Sequence, residues 1–160
     1  MNYYQSAGVL ILGSRFRRLS EDFLLAVNNV YQQLNIGFEA GWFPAFYLLD
    51  HYKAISIKQL SEAMGSSHPA ASQLVTALKK HGLVASVQHP DDARSQQISL
   101  TDKGKHLLKK VKPVWQAIQS VVERQTFSLE MAVLPMLSSL EENLTPKALT
   151  QQIINQLKHG

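Results

Sequence analysis

The sequence predicts a mainly α-helical protein with one small β-hairpin, and three observations predict it. Apolar residues recur at helical spacing over most of the chain. Two short stretches, Leu83–Val87 (LVASV) and Gln96–Leu100 (QQISL), instead alternate between apolar and polar positions, as strands do. Between them lies the polar segment HPDDARS, whose Pro90 and Asp91-Asp92 pair suit a turn.

Taken in order, Val9, Leu12, Phe16, Leu19, Phe23, Ala26 and Val30 recur at alternating steps of three and four, one apolar stripe on a long helix expected over 5–36. Its other face carries Arg17, Arg18, Glu21, Asp22, Asn28 and Gln32. Such a helix can be a core helix or a dimerisation helix; the heptad rhythm, kept for three repeats, favours the second. Gly37, Gly41 and Pro44 then break the pattern, and a short apolar helix follows over Ala45–Tyr52. Ser56 and Gln59 stand at capping-box spacing and open a helix that closes at Gly65, with Leu60, Ala63 and Met64 on its buried side. A second helix is expected at about 68–81. Pro69 is tolerated in its first turn, Gly82 stops it, and Ala71, Leu74, Val75 and Leu78 point inward.

The hairpin at about 83–100 comes next, and Thr101 caps a connecting helix over 101–125, expected to kink at Pro113. Two helices joined by a short glycine-bearing turn, then a hairpin and another helix, is the order of a winged helix-turn-helix domain, placed here at 45–104. A last helical region starts near Ser128, with Leu129, Val133, Met136, Leu137 and Leu140 apolar and Pro135 straining it. Thr145 and Pro146 restart a final helix whose apolar side is Ile153, Ile154 and Leu157.

Composition narrows the function. A chain of 160 residues, 45% hydrophobic and 18% charged, is globular and suits a single domain. A net charge of +4 favours a polyanionic partner without requiring one. The absence of cysteine excludes disulfides, thiolate metal sites and cysteine nucleophiles within this chain. Six histidines invite a metal reading, but no two stand at i,i+4 and no H-E-x-x-H occurs, so neither metal nor cofactor is expected. No nucleophile elbow or phosphate-binding loop is present, and the chain reads as no enzyme. No apolar run of 18 residues occurs and the first basic residue is Arg15, so the expectation is a soluble, cytoplasmic protein without a membrane partner.

A helix that enters a DNA major groove needs short polar side chains near its N-terminus, where phosphates and base edges lie. Ser66, Ser67 and His68 stand there, and Ala70, Gln73, Thr76 and Lys80 follow on the face away from Leu74 and Leu78. Gln73 is suited to paired hydrogen bonds with adenine and Lys80 to a phosphate. An ordinary solvated face explains the same residues. The hairpin tip weighs against that, because an isolated Arg94 there buries little yet suits a narrow minor groove, with Asp92 placed to orient it. The plain alternative is a surface ion pair worth at most about 1 kcal/mol.

Residues Ile55–Gly104 resemble the MarR family of winged-helix regulators. The likeness rests on Leu78-Lys79-Lys80-His81-Gly82-Leu83-Val84, Asp92-Ala93-Arg94 and Leu100-Thr101-Asp102-Lys103-Gly104, and covers about a third of the chain in detail. The resemblance implies a homodimer on pseudo-palindromic double-stranded DNA, built by the N-terminal helix together with the helices of 126–158. It also implies a major-groove role for the helix from His68 and a minor-groove role for Arg94. Departures are Ala93 where many relatives have a second Arg, His89 where Asp is frequent, and Ser72-Gln73 in place of a frequent Thr-Arg pair. Fewer positive contacts imply weaker or more salt-sensitive binding, or a different half-site.

The stretches LGSRFRRLSEDF, WFPAFYLL and SHPAASQLV are further similar to regulatory domains that some relatives fuse to an acetyltransferase. With its end at Gly160 the chain is expected to be a free-standing cousin. Phe38, Trp42, Phe43, Phe46 and Tyr47 cluster between the long helix and the helix-turn-helix. Core packing is one role; the other, implied by the resemblance, is a pocket for a small aromatic or amphipathic effector, lined by Phe16, Trp42, Phe43, Phe46 and Tyr47. The expected function is therefore a sequence-specific, ligand-responsive transcriptional repressor. The alternative is a protein-interaction module that kept the fold and lost specific DNA binding, with an acetyltransferase in trans as a plausible target.

Overall fold

The computed structural model describes residues 3–88, 96–125 and 130–159. Contacts divide the chain into two compact units, Met1–Trp115 and Gln116–Gly160. The first unit opens with 3-10 turns over Tyr3–Ile11, in which Gly8 takes φ 61°, and only then enters helix α1, Leu12–Gln33. The expected helix from residue 5 thus loses its first turns. Gly8 holds a left-handed conformation that an α-helix does not accommodate, and Val9 stays outside the apolar stripe, exposed. At the other end Asn35, at φ 51°, turns the chain, while Ile36 N–H bonds to the Tyr31 carbonyl at 2.9 Å. Helix α1 therefore stops at Gln33, short of the expected 36.

Helix α2, Phe43–Tyr52, starts two residues before the expected Ala45 because Pro44 fits its first turn. Lys53 (φ 65°) closes it and leads into strand β1, Ala54–Ile55, which the sequence pattern does not announce. Helix α3, Ile57–Ala63, carries the expected capping box: Gln59 N–H donates to Ser56 Oγ at 3.2 Å, and Ser56 N–H to Gln59 Oε1 at 3.1 Å. Its inner side is Leu60 and Ser61 rather than Leu60, Ala63 and Met64. Ser61 is buried because its hydroxyl donates to the Lys58 carbonyl at 2.8 Å, and Ala63 is exposed. After the turn at Gly65 (φ 59°), helix α4, His68–Lys80, buries Ala71, Val75 and Leu78; Leu74 is only half-buried.

Strands β2, Val84–Gln88, and β3, Gln96–Leu100, pair antiparallel from Val84–Leu100 to Gln88–Gln96. The sheet has three strands in the order β1-β3-β2, with β1 paired to β3 through Ala54–Ser99 and Ile55–Ile98. Ile98 and Leu100 turn inward, as their alternation requires. Helix α5, Asp102–Gln125, runs on through Pro113 and buries Leu108, Val111 and Val114. Phe38 is the hub of this unit's aromatic core, edge-on to Tyr31, Trp42, Phe46 and Trp115 at centroid distances of 5.0, 5.7, 5.0 and 6.1 Å. Trp115 Nε1–H donates to Tyr31 Oη at 3.0 Å, and burial pushes the Tyr31 phenol above its ordinary pKa.

The second unit contains helices α6, Glu130–Asn143, and α7, Pro146–His159. The expected start near Ser128 and Leu129 lies outside the described residues. Thr145 caps α7 through Ala148 N–H at 3.4 Å, as its Thr-Pro start implies. Ile153, Ile154 and Leu157 form an exposed apolar face on α7.

One junction binds the end of α4 to the hairpin and to α5. Gly82 (φ 69°) turns the chain out of α4, and its carbonyl accepts the Thr101 hydroxyl at 2.7 Å. The Leu83 carbonyl accepts Thr101 N–H at 3.0 Å, and Thr101 Oγ1 in turn accepts Gly104 N–H at 3.1 Å. A methyl group on Gly104 would overlap the Leu83 carbonyl oxygen and stand 3.1 Å from Leu100 Cδ2. In an open helix Gly→Ala gains up to about 1 kcal/mol; here the overlap with backbone decides the sign. Gly104→Ala is expected to lower stability by about 2–3 kcal/mol in urea unfolding, and an unchanged or raised midpoint would contradict the close approach.

Candidate nucleic-acid interface

Helix α4 is amphipathic. Its inner side packs on α3 and its outer side leaves His68, Ala70, Gln73, Thr76 and Lys80 exposed. Ser67 is the N-cap, accepting Ala70 N–H at 3.3 Å, so its hydroxyl starts the helix while the residue stays exposed. The Thr76 hydroxyl donates to the Ser72 carbonyl at 2.9 Å and remains an acceptor outward. The Ser66 hydroxyl is shielded and has no hydrogen-bond partner among the described residues; its N–H bonds to the Ser61 carbonyl at 2.9 Å. Ser66 therefore shapes the turn and is the least presented of the seven expected residues around α4.

In the first turn of α4 Pro69 carries no N–H, Ala70 N–H is taken by the Ser67 hydroxyl and Ala71 N–H by the Ser67 carbonyl at 3.1 Å, so what this end presents outward is the positive end of the helix dipole and the side chain of His68. Two lysines that sequence patterning does not single out fasten α4 to its neighbours. Lys79 Nζ donates to Ser86 Oγ on β2 at 2.7 Å, and Lys103 Nζ to the His81 carbonyl at 2.8 Å. Nothing in the local sequence separates Lys79 from Lys80; only the strand beside it does. Asp92 and Arg94, which fall in the sequence between β2 and β3, lie outside the described residues.

The five aromatic residues expected around an effector pocket divide. Trp42 and Phe46 are buried in the core around Phe38, and Trp42 also lies against His81 at 4.9 Å. Phe43 and Tyr47, 40% and 59% exposed, sit together on the outer side of α2 with centroids 5.4 Å apart, and Phe43 meets Trp115 edge-on at 4.9 Å. Phe16 is half-buried on α1 and shares none of these ring contacts. A cavity of about 300 Å³ opens elsewhere, lined by Leu49, Asp50, Lys53, Ser99, Leu100, Lys105 and Leu108. At its rim Lys112 Nζ approaches Asp50 Oδ2 at 2.7 Å and joins α2 to α5. Hydrogen bonding to Lys112 holds the Asp50 carboxyl below the usual carboxylate range, with Lys53 adding to the effect.

Residues 36–95 match the profile of the MarR family. Transcriptional repressor MprA of Escherichia coli (strain K12) is 27% identical over 111 residues, which cover 63% of this chain and 63% of that protein. Thus the chain spans less than two thirds of the length of this curated relative. Among solved structures, the transcriptional repressor CouR bound to a 23-mer DNA duplex superposes with a TM-score of 0.68 at 22% identity, over 84% of this chain and 96% of that one. The PcaV transcriptional regulator from Streptomyces coelicolor, in complex with its natural ligand, does so with a TM-score of 0.67 at 18% identity, over 83% and 93%. At these identities the likeness is one of fold: the winged helix with its flanking helices.

The Asp50 pair carries a pH signature. A carboxyl with a lowered folded pKa stabilises the protein above its unfolded pKa, and that stability disappears as the pH falls through the folded value. Both side chains are partly exposed, so wild type should exceed Asp50→Asn by no more than about 1 kcal/mol at neutral pH. Urea unfolding should show that difference vanishing in acid, and a difference independent of pH would rule the ion pair out as its source.

Proposed function

We propose that this chain, a winged-helix protein of the MarR family through its residues 36–95, is a homodimeric, sequence-specific transcription regulator that acts as a ligand-responsive repressor. The observation that carries the reading is α4 itself. It is a capped helix with three buried inner residues, a polar outer side of Gln73, Thr76 and Lys80, and a two-stranded wing beside it. In that role Gln73 reads a base edge, Ser67 and His68 meet phosphates at the helix start, Ala70 lets the helix approach closely, and Lys80 neutralises a further phosphate. Arg94, oriented by Asp92, enters the flanking minor groove. CouR, with the same fold, is bound to a DNA duplex.

Dimerisation is supported by α1. Leu19, Phe23 and Val30 of the heptad stripe are 67%, 46% and 38% exposed in the protomer, a continuous apolar face that a second copy would cover. Two copies related by a twofold axis place their α4 helices in successive major grooves, about 34 Å apart. An effector of small aromatic or amphipathic kind fits the exposed Phe43 and Tyr47 at the outer side of α2, beside Trp115 of α5, and by binding there would change the distance between the two recognition helices.

The direct test is selection of fragments of the source genome by the purified protein at near-physiological salt. An enriched inverted repeat is the expected result; no enrichment by a folded protein would favour a protein-interaction module. On the enriched site, Arg94→Ala is expected to weaken binding by about 1–3 kcal/mol without lowering the melting temperature. Unchanged affinity in a fluorescence titration would remove the wing from the interface.

A further inference from the structure

The positive charge of this protein is concentrated in one place. Residues 102–112 hold five lysines and a single aspartate, which equals the net +4 of the whole chain, so the remainder is neutral overall. All five lysines lie on exposed positions of α5, the helix that starts at the junction closing α4. Helical spacing sorts them into two rows. Lys105, Lys109 and Lys112 follow one another at i, i+4 and i+7; Lys103, His106 and Lys110 do so at i, i+3 and i+7, and each row is about 10 Å long.

Three of the lysines have partners: Lys103 on the His81 carbonyl at 2.8 Å and Lys112 on Asp50 at 2.7 Å join α5 to other elements, and Lys105 meets Asp102 at 3.2 Å within the exposed first turn of α5 itself. Lys109 and Lys110 form no ion pair among the described residues. Exposed and without an acid at helical spacing, Lys109 and Lys110 are left available to an anionic partner, and the cluster they belong to favours one.

We propose that the lysine face of α5 is a second, sequence-independent DNA contact, with Lys109 and Lys110 holding backbone phosphates that flank the half-site read by α4. This rests on the DNA-binding reading above and extends it. Two observations favour phosphates over an acidic protein. The exposed positions of α5 from Asp102 to Pro113 carry no large apolar side chain, so the face lacks the anchor that a protein interface needs. Lysine is also depleted at protein interfaces, whereas a duplex offers one charge per about 1.7 Å of axis, roughly six along a 10 Å row. The face begins where the recognition helix ends, fixed there by Thr101 and Lys103.

The test is fluorescence titration of the full-length protein across a salt series, on the selected site with and without ten flanking base pairs and on a random duplex. For every phosphate that the protein no longer neutralises, the slope of log K against log [salt] should fall by about 0.9. K109Q/K110Q is expected to flatten the slope by roughly 1–2, to weaken binding to the flanked site about tenfold and to leave the ratio of site to random duplex unchanged. K109R/K110R should restore the wild-type values. Wild-type slope and affinity in K109Q/K110Q, with the wild-type protein binding its site, would overturn this inference alone. A wild-type protein that binds no duplex in a salt-dependent way would overturn the DNA-binding reading as well, and would point to an acidic protein partner.

Discussion

The structure depends on the place where α4, the hairpin and α5 meet. At Gly82 the chain leaves α4 in a left-handed conformation, and Thr101 returns from β3 to bond both the Gly82 and Leu83 carbonyls. The carbonyls of the last turn of α4 are taken by His81, Gly82 and Leu83 N–H, so Thr101 satisfies the two carbonyls that follow the helix. Gly104 lets α5 lie directly against that backbone, and Leu83 and Leu100 seal the contact from water. One threonine and two glycines thereby fix three elements with respect to one another. A recognition helix and a wing can grip one duplex together only if their relative position is set in advance, because binding energy is otherwise spent on ordering them.

Around this junction the protein separates packing from exposure. The aromatic core centred on Phe38 joins α1, α2 and α5 within the first unit, and the Tyr31–Trp115 hydrogen bond satisfies the two polar groups that such a core would otherwise strand. The outer side of α4 remains polar and the early part of α5 remains strongly basic. The heptad face of α1 is left apolar and uncovered. On the proposed reading each of these surfaces has its own partner: base edges, phosphates and a second copy.

Much of this is legible in the sequence, for reasons that are local. The Ser56–Gln59 capping box, the Gly82 stop, the Thr101 cap and the Thr145-Pro146 start depend on side chains and backbone within four residues, and all appear where their spacing places them. Strand β1 is not legible, because two residues have no period and pair only through Ser99 and Ile98, more than 40 positions away. The burial of Ser61 in place of Ala63 depends on how α3 faces its neighbours, and the loss of the first turns of α1 on the left-handed Gly8. The aromatic cluster and the family resemblance together point to the expected pocket residues. They do not tell Trp42 and Phe46, which fill the core, from Phe43 and Tyr47, which face outward. The lysines of α5 are plain in the sequence as a cluster; only the fold puts them beside the end of α4.

The most direct test of the account is a hydroxyl-radical footprint of the protein on its selected site. Two recognition helices held by a twofold dimer predict two equivalent protected patches on one face of the duplex, centred about one helical turn apart, with weaker protection at the flanking minor grooves. A single asymmetric patch, or uniform protection without a centre, would contradict the dimeric winged-helix reading.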